Sequence, residues 1–107
     1  MYKLIIEKYN GKYLVQRNDD VFECQHIVDA LDITEPNYRD EIASLIEAMF
    51  DNWCVTRLTI SEDEGLWRAI AELTYEAIEV IESHPTAVIM KLFPYLMLCK
   101  AAQRLCQ

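Results

Sequence analysis

Glycine is nearly absent: Gly11 and Gly65 are the only two in 107 residues, and proline occurs three times. Two glycines so far apart cannot build a G-x-G-x-x-G or G-x-x-x-x-G-K-[ST] phosphate loop, so neither nucleotide fingerprint is present. The same scarcity argues against a many-turned β-sandwich. Histidine is confined to His26 and His84, and the cysteines at 24, 54, 99 and 106 form no C-x-x-C pair. Neither a thioredoxin-like redox motif nor a standard zinc spacing is therefore available. G-x-S-x-G, H-E-x-x-H and an acid-rich calcium loop with its glycine are missing as well. No catalytic, cofactor or metal residue is assigned, and an enzyme is not expected.

Long hydrophobic runs are also missing. The first apolar run stops at the Asn10-Gly11 turn, too early for a signal-peptide core, so a cytoplasmic location with reduced, core-filling thiols is expected. Residues 85–99, PTAVIMKLFPYLMLC, are the most hydrophobic stretch. Shorter than the roughly 20 residues that span a bilayer and broken by Lys91 and Pro94, they read as a buried helix and not a membrane anchor.

Hydrophobic residues make up 52% of the chain, enough to fill one core, so a single domain over 1–107 is expected. Eighteen acids against ten bases give a net charge of −8. Residues 1–17 carry +3, residues 18–82 carry −14 and residues 83–107 carry +3. That acidic block disfavours direct nucleic-acid binding and suits a basic partner.

Along the chain, 2–9 and 12–17 read as strands joined at Asn10-Gly11, the strongest short hairpin signal. The turn fixes the register: Tyr9 faces Lys12, Lys8 faces Tyr13, Ile6 faces Val15 and Leu4 faces Arg17. Leu4, Ile6, Tyr13 and Val15 then form an inward face, while Ile5, Glu7, Tyr9, Lys12, Leu14 and Gln16 form a mixed one that should be covered by helices or a third strand. Residues 21–31 are read as a short helix, with a strand over 21–25 as the rival, and 36–52 as a second helix. Residues 54–60 alternate and supply the third strand. Ser61 and Glu64 resemble a capping box for a long helix to Glu82, and 86–106 form a last helix bent near Pro94. No internal repeat is visible. The expected fold is α+β: an N-terminal antiparallel β-hairpin, three strands in all, packed against three to four helices.

Two acidic stripes follow from these helices. Asp40, Glu47 and Asp51 would line one, and Glu72, Glu76, Glu79 and Glu82 the other, with Tyr75 beside it as an exposed aromatic anchor. Such stripes could dock a basic or nucleic-acid-binding protein, in the manner of a DNA mimic. The first half of the 86–106 helix is apolar nearly all round, so Val88, Ile89, Leu92, Phe93 and Leu96 are the expected contacts of a homodimer, the alternative being a self-assembling subunit. Cys24 with His26, or Cys99 with His84, would be the least favoured reading, a small metal or catalytic site. In size, acidity, glycine poverty and hairpin-plus-helices layout the chain resembles small acidic accessory proteins of tailed bacteriophages and mobile elements. That resemblance implies a non-enzymatic protein that binds and inhibits or redirects a host protein, defence enzymes included. It assigns no residue.

Overall fold

The computed structural model describes the backbone of residues 1–105 and the side chains of residues 1–99. Six strands form one antiparallel sheet: β1 (Tyr2–Tyr9), β2 (Lys12–Arg17), β3 (Asp20–Cys24), β4 (Arg57–Asp63), β5 (Leu66–Glu72) and β6 (Ala77–Glu82), in the spatial order β3-β2-β1-β4-β5-β6. Two helices, α1 (Arg39–Asn52) and α2 (Pro85–Leu105), pack on one face. The fold is therefore a six-stranded sheet with two helices, and not a hairpin against three or four.

The N-terminal hairpin has the expected register from Leu4↔Arg17 to Tyr9↔Lys12. Asn10 (φ 51°) and Gly11 (φ 76°) both take the positive φ that a type I′ turn requires. Alternation then sends Leu4, Ile6, Tyr13 and Val15 inward, each at most 3% exposed. Residues 20–24 continue the meander as β3, so the 21–31 helix is replaced by a strand and a single 3₁₀ turn at Ile27–Asp29. Pairing with β2 supplies the ladder bonds that outweigh the helical spacing of Val21, Cys24 and Ile27. A 3₁₀ turn at Pro36–Tyr38 leads into α1, which starts three residues later than the sequence suggested. Cys54 (φ 62°) closes α1 in the left-handed conformation, with Val55 N–H donating to Met49 O at 3.2 Å.

The largest correction lies in 61–82, which is not a helix. Arg57–Asp63 pairs with β1, and the chain reverses at Glu64 (φ 53°) and Gly65 (φ 81°) into β5, then reverses again over 73–76 into β6. Ser61 is a strand residue, and Glu62 Oε1 accepts the Gly65 N–H at 2.9 Å.

The two glycines occupy the same place in two similar halves. Shifting by 54 positions maps Asn10-Gly11 onto Glu64-Gly65, and the inward residues Leu4, Ile6, Tyr13 and Val15 onto Leu58, Ile60, Trp67 and Ala69. Ile5 pairs with Thr59, its own equivalent, so a pseudo-two-fold axis passes between them, normal to the sheet. The chain does contain a structural repeat, β-β-β-α twice, which its sequence hides. The symmetry weakens outside the strands: residues 25–38 separate β3 from α1, whereas Ser83-His84 alone separates β6 from α2.

One core fills the space between sheet and helices. Leu4, Ile6, Leu58 and Ile60 from the central strands meet Ile46 and Met49 of α1 and Val88, Ile89, Leu92 and Leu96 of α2, all at most 1% exposed. Pro94 lies inside α2, whose assigned span continues to Leu105. The segment 25–38 is tied to the sheet by Tyr2, whose hydroxyl donates to Asp32 Oδ1, and by Arg17, which bonds Ala30 O at 3.1 Å and pairs with Asp32. The opposite sheet face carries no covering element among the described residues, contrary to the expectation for Ile5 and Leu14.

Candidate protein-binding surface

The residues of the second acidic stripe are dispersed by the strands. Glu72 and Glu79 stand on the uncovered sheet face, Glu82 turns toward α2 and Glu76 sits in the turn before β6. Glu72 pairs with Arg57, which also bonds Glu7 at 2.9 Å; Glu79 pairs with Arg68, and Glu82 with Lys91. The Glu82 carboxylate pushes the Lys91 ammonium pKa up. Glu76 lies by the Cys99 thiol, whose pKa is raised by burial and then by that carboxylate. No continuous negative strip exists there, and the DNA-mimic reading loses its basis. Tyr75 is 96% exposed at the tip of the β5–β6 turn, away from any acidic row.

The first stripe does lie on a helix. Asp40 is exposed at the start of α1, Glu47 is half-buried beside His26 (3.7 Å), and Asp51 pairs with Lys8. Among the described residues, only Asp40 of the three has no ion-pair partner, and the neighbouring Glu41 shares that state. Both acids complement the positive end of the helix.

The apolar surface sits elsewhere on α2 than expected. Val88, Ile89, Leu92 and Leu96 are at most 1% exposed because they meet the sheet, and Phe93 stacks edge-on against Trp53 at 5.2 Å. The first four belong to the protomer's own interior, and Phe93 is half-buried against the end of α1. The exposed side carries Met90, Pro94, Tyr95, Met97 and Leu98, with Met90 at 56% and Leu98 at 66%. The sequence could not separate the two sides, since apolar residues surround the helix. Met90 also borders a cleft of about 460 Å³ between the helices, lined by Tyr38, Glu41, Ile42, Leu45 and Thr86. Its floor is apolar, and its α1 rim is acidic through Glu41. Tyr38, Ile42 and Leu45 recur at i, i+4 and i+7, the spacing of a core-facing stripe, so sequence alone does not separate these cleft residues from the core.

Among the described residues, no hydrogen bond links a cysteine to a histidine. Burial, then Asp29 and Glu47, push the Cys24 thiol pKa up, the opposite of what a nucleophilic thiolate needs. His84 Nδ1 accepts the Thr86 N–H at 3.2 Å, a turn-stabilising role at the start of α2. Cys106 lies outside the described residues. Among those described, no three His, Cys, Asp or Glu side chains converge in a metal-binding arrangement, and no helix is long and apolar enough to cross a membrane. No family model, curated protein or solved structure matches the chain.

Proposed function

We propose that this protein is a non-enzymatic binding module whose helical layer receives an amphipathic helix of a partner protein, with basic residues beside its apolar face. The carrying observation is the cleft between α1 and α2: an apolar floor of Ile42, Leu45 and Met90 open to solvent, with Glu41 on its rim. A helix laid in such a groove buries one apolar stripe, and a Lys or Arg flanking that stripe meets Glu41 and Asp40. Exposed methionines suit this role, because their unbranched side chains repack around different partners. The clustered exposed apolar groups of α2 point the same way, since contiguous apolar surface on a monomer marks an interaction site.

The test uses two synthetic amphipathic helices with one leucine face, one carrying lysine and the other glutamate on the polar side. Titrated into the full chain, the lysine peptide should protect amides of 38–46 and 86–90 from exchange, and the glutamate peptide should not. Leu45→Asp and Glu41→Lys should each weaken the lysine peptide. Equal binding by both variants, or protection on the sheet's uncovered face, would refute the reading.

A further inference from the structure

We infer that the outer edge of β6, together with the flank of α2 above it, seats a second copy of this chain, joining two sheets into one of twelve strands.

β6 is the last strand of the sheet, and among the described residues nothing pairs with its outer side. Leu73 N–H donates to Glu76 O at 2.7 Å, which starts the β5–β6 ladder. Alternation of the antiparallel pattern then directs the N–H and C=O groups of Ile78, Val80 and Glu82 toward β5. Those of Ala77, Glu79 and Ile81 point outward, a template for another strand.

The segment Ala77–Glu82, AIEVIE, can pair with its own copy without opposing carboxylates. An axis through Val80 sets Glu79 opposite Ile81 of the second copy and Ile78 opposite Glu82, so no two carboxylates face each other. An axis through Glu79 would place Glu79 against Glu79 and is disfavoured by like charge. The carboxylates on this edge are already compensated, Glu79 by Arg68 and Glu82 by Lys91. The other sheet edge is not equivalent: β3 is one residue shorter and begins at Asp20, just after Asp19, and neither acid has an ion-pair partner among the described residues. Two β3 edges would repel.

The helix geometry fits the same junction. α2 lies over β5 and β6, and strands are about 4.8 Å apart. Continuing the sheet by one strand spacing therefore puts the two α2 helices roughly 10 Å apart, within the range of packed helices. Lys91, Tyr95 and Leu98 recur at i, i+4 and i+7, and the Lys91–Glu82 pair shows that this flank overlooks β6. Glu82 lies near Lys91 and Glu76 near Cys99, so Glu79 falls below the middle of that span, and Tyr95 lies about one strand residue from the Val80 axis. Tyr95 is 51% exposed and would meet its counterpart there, with Leu98 facing the second copy's Lys91 stem. The cleft with α1 lies on the opposite flank of α2, so this pairing is independent of the proposed helix-binding role.

Sedimentation of the intact protein from micromolar to millimolar concentration tests the inference, with amide exchange followed at Glu79 and Ile81. The expected result is a monomer–dimer equilibrium in which those two amides slow as the dimer fills, while β3 amides do not. Ile81→Lys, on the edge, and Leu98→Asp, on the flank, should each weaken association at least tenfold with unchanged circular dichroism. A monomer throughout the range overturns the inference. So does a dimer that tolerates both substitutions or one that protects β3.

Discussion

Gly65→Ala separates two conformations of the same segment by the sign of its effect. In a helix beginning near Ser61, alanine in place of glycine would stabilise by roughly 0.5–1 kcal/mol, since glycine is the poorer helix former. In the structure Gly65 has φ 81°, and an added Cβ would meet no atom within 4 Å. The cost is therefore backbone strain alone. Left-handed geometry costs a residue with a Cβ about 1–2 kcal/mol, and the stiffer unfolded chain returns about 0.4–1 kcal/mol of it. The net expectation is a loss near 1 kcal/mol, a fall in Tm of about 5 °C for a domain of this size.

Gly11→Ala calibrates the measurement, because Gly11 has φ 76° and equally open surroundings. The two variants should lose the same stability within about 0.5 kcal/mol, and the double variant should lose the sum, because the turns lie at opposite ends of β1. Glu64→Asn adds the opposite sign: Glu64 holds φ 53° where the first turn has Asn10, so asparagine should stabilise by a few tenths of a kcal/mol. Urea unfolding followed by tryptophan emission is suitable, since Trp67 packs beside Tyr2 on the sheet and Trp53 against Phe93 in the helical layer. A stabilising Gly65→Ala would refute the hairpin, and unequal losses at the two glycines would refute the equivalence of the two turns.

Other substitutions probe the remaining layers. Tyr13 is 3% exposed, and burial, with Asp51 and Glu47 nearby, pushes its pKa from 10 up to about 12. The unfolded chain ionises first, so stability present below pH 10 should fall as pH rises from 10 to 12, by roughly 2–3 kcal/mol, and Tyr13→Phe should flatten that part of a pH-dependent urea series. Leu58→Ala empties a fully buried central position and should cost about 2–5 kcal/mol by the same unfolding measurement. Cys54→Gly should gain about 0.5–1 kcal/mol, because Cys54 takes the left-handed position that ends α1; a loss in thermal scans would count against that cap.

How far the fold can be read from sequence depends on whether a local signal has a rival. The first hairpin is legible residue by residue because Asn-Gly permits one turn geometry, and a two-residue period follows from it. The segment LWRAIAELTYEAIEVIE satisfies both periods: Leu66, Ile70, Leu73 and Ala77 fall on a helical stripe, while Trp67, Ala69, Ala71 and Leu73 alternate as a strand. What decides is pairing with β4, itself held by β1 more than fifty residues earlier, together with a Glu-Gly turn that lacks the usual asparagine. Turn chemistry is generally weakly marked here: Asn18, Cys54 and Glu64 take positive φ where glycine is commoner. The helix 85–105 was legible in type and extent, but not in orientation. With apolar residues on every side, only the position of β5 and β6 determines that Leu92 is interior and Leu98 is surface. The surface reading failed for the same reason.

The net charge of −8 is concentrated by the fold and not spread over it. Six cations are drawn into pairs with acids on the sheet and its flanks: Lys8, Lys12, Arg17, Arg57, Arg68 and Lys91. The uncovered sheet face, with its Glu7–Arg57–Glu72 ladder, is thereby close to neutral, and each such exposed pair contributes at most about 1 kcal/mol. Among the described residues, the acids without a cation partner gather at the β2–β3 turn (Asp19, Asp20), at the approach to α1 (Asp29, Glu35, Asp40, Glu41) and at the β4–β5 tip (Glu62, Asp63, Glu64), with Glu76 alone at the β5–β6 turn beside Cys99. The second group adjoins the apolar cleft between the helices, where a basic residue of a partner gains charge attraction while neighbouring groups leave water. The β4–β5 tip lines another cleft with Met1, Tyr2, Leu66 and Ile81, but there Lys3 and Arg68 stand among the acids and offset them. The β2–β3 turn offers attraction without burial, which salt screens. The combination of an apolar floor and an uncompensated rim, more than acidity itself, singles out the helical layer as the binding face.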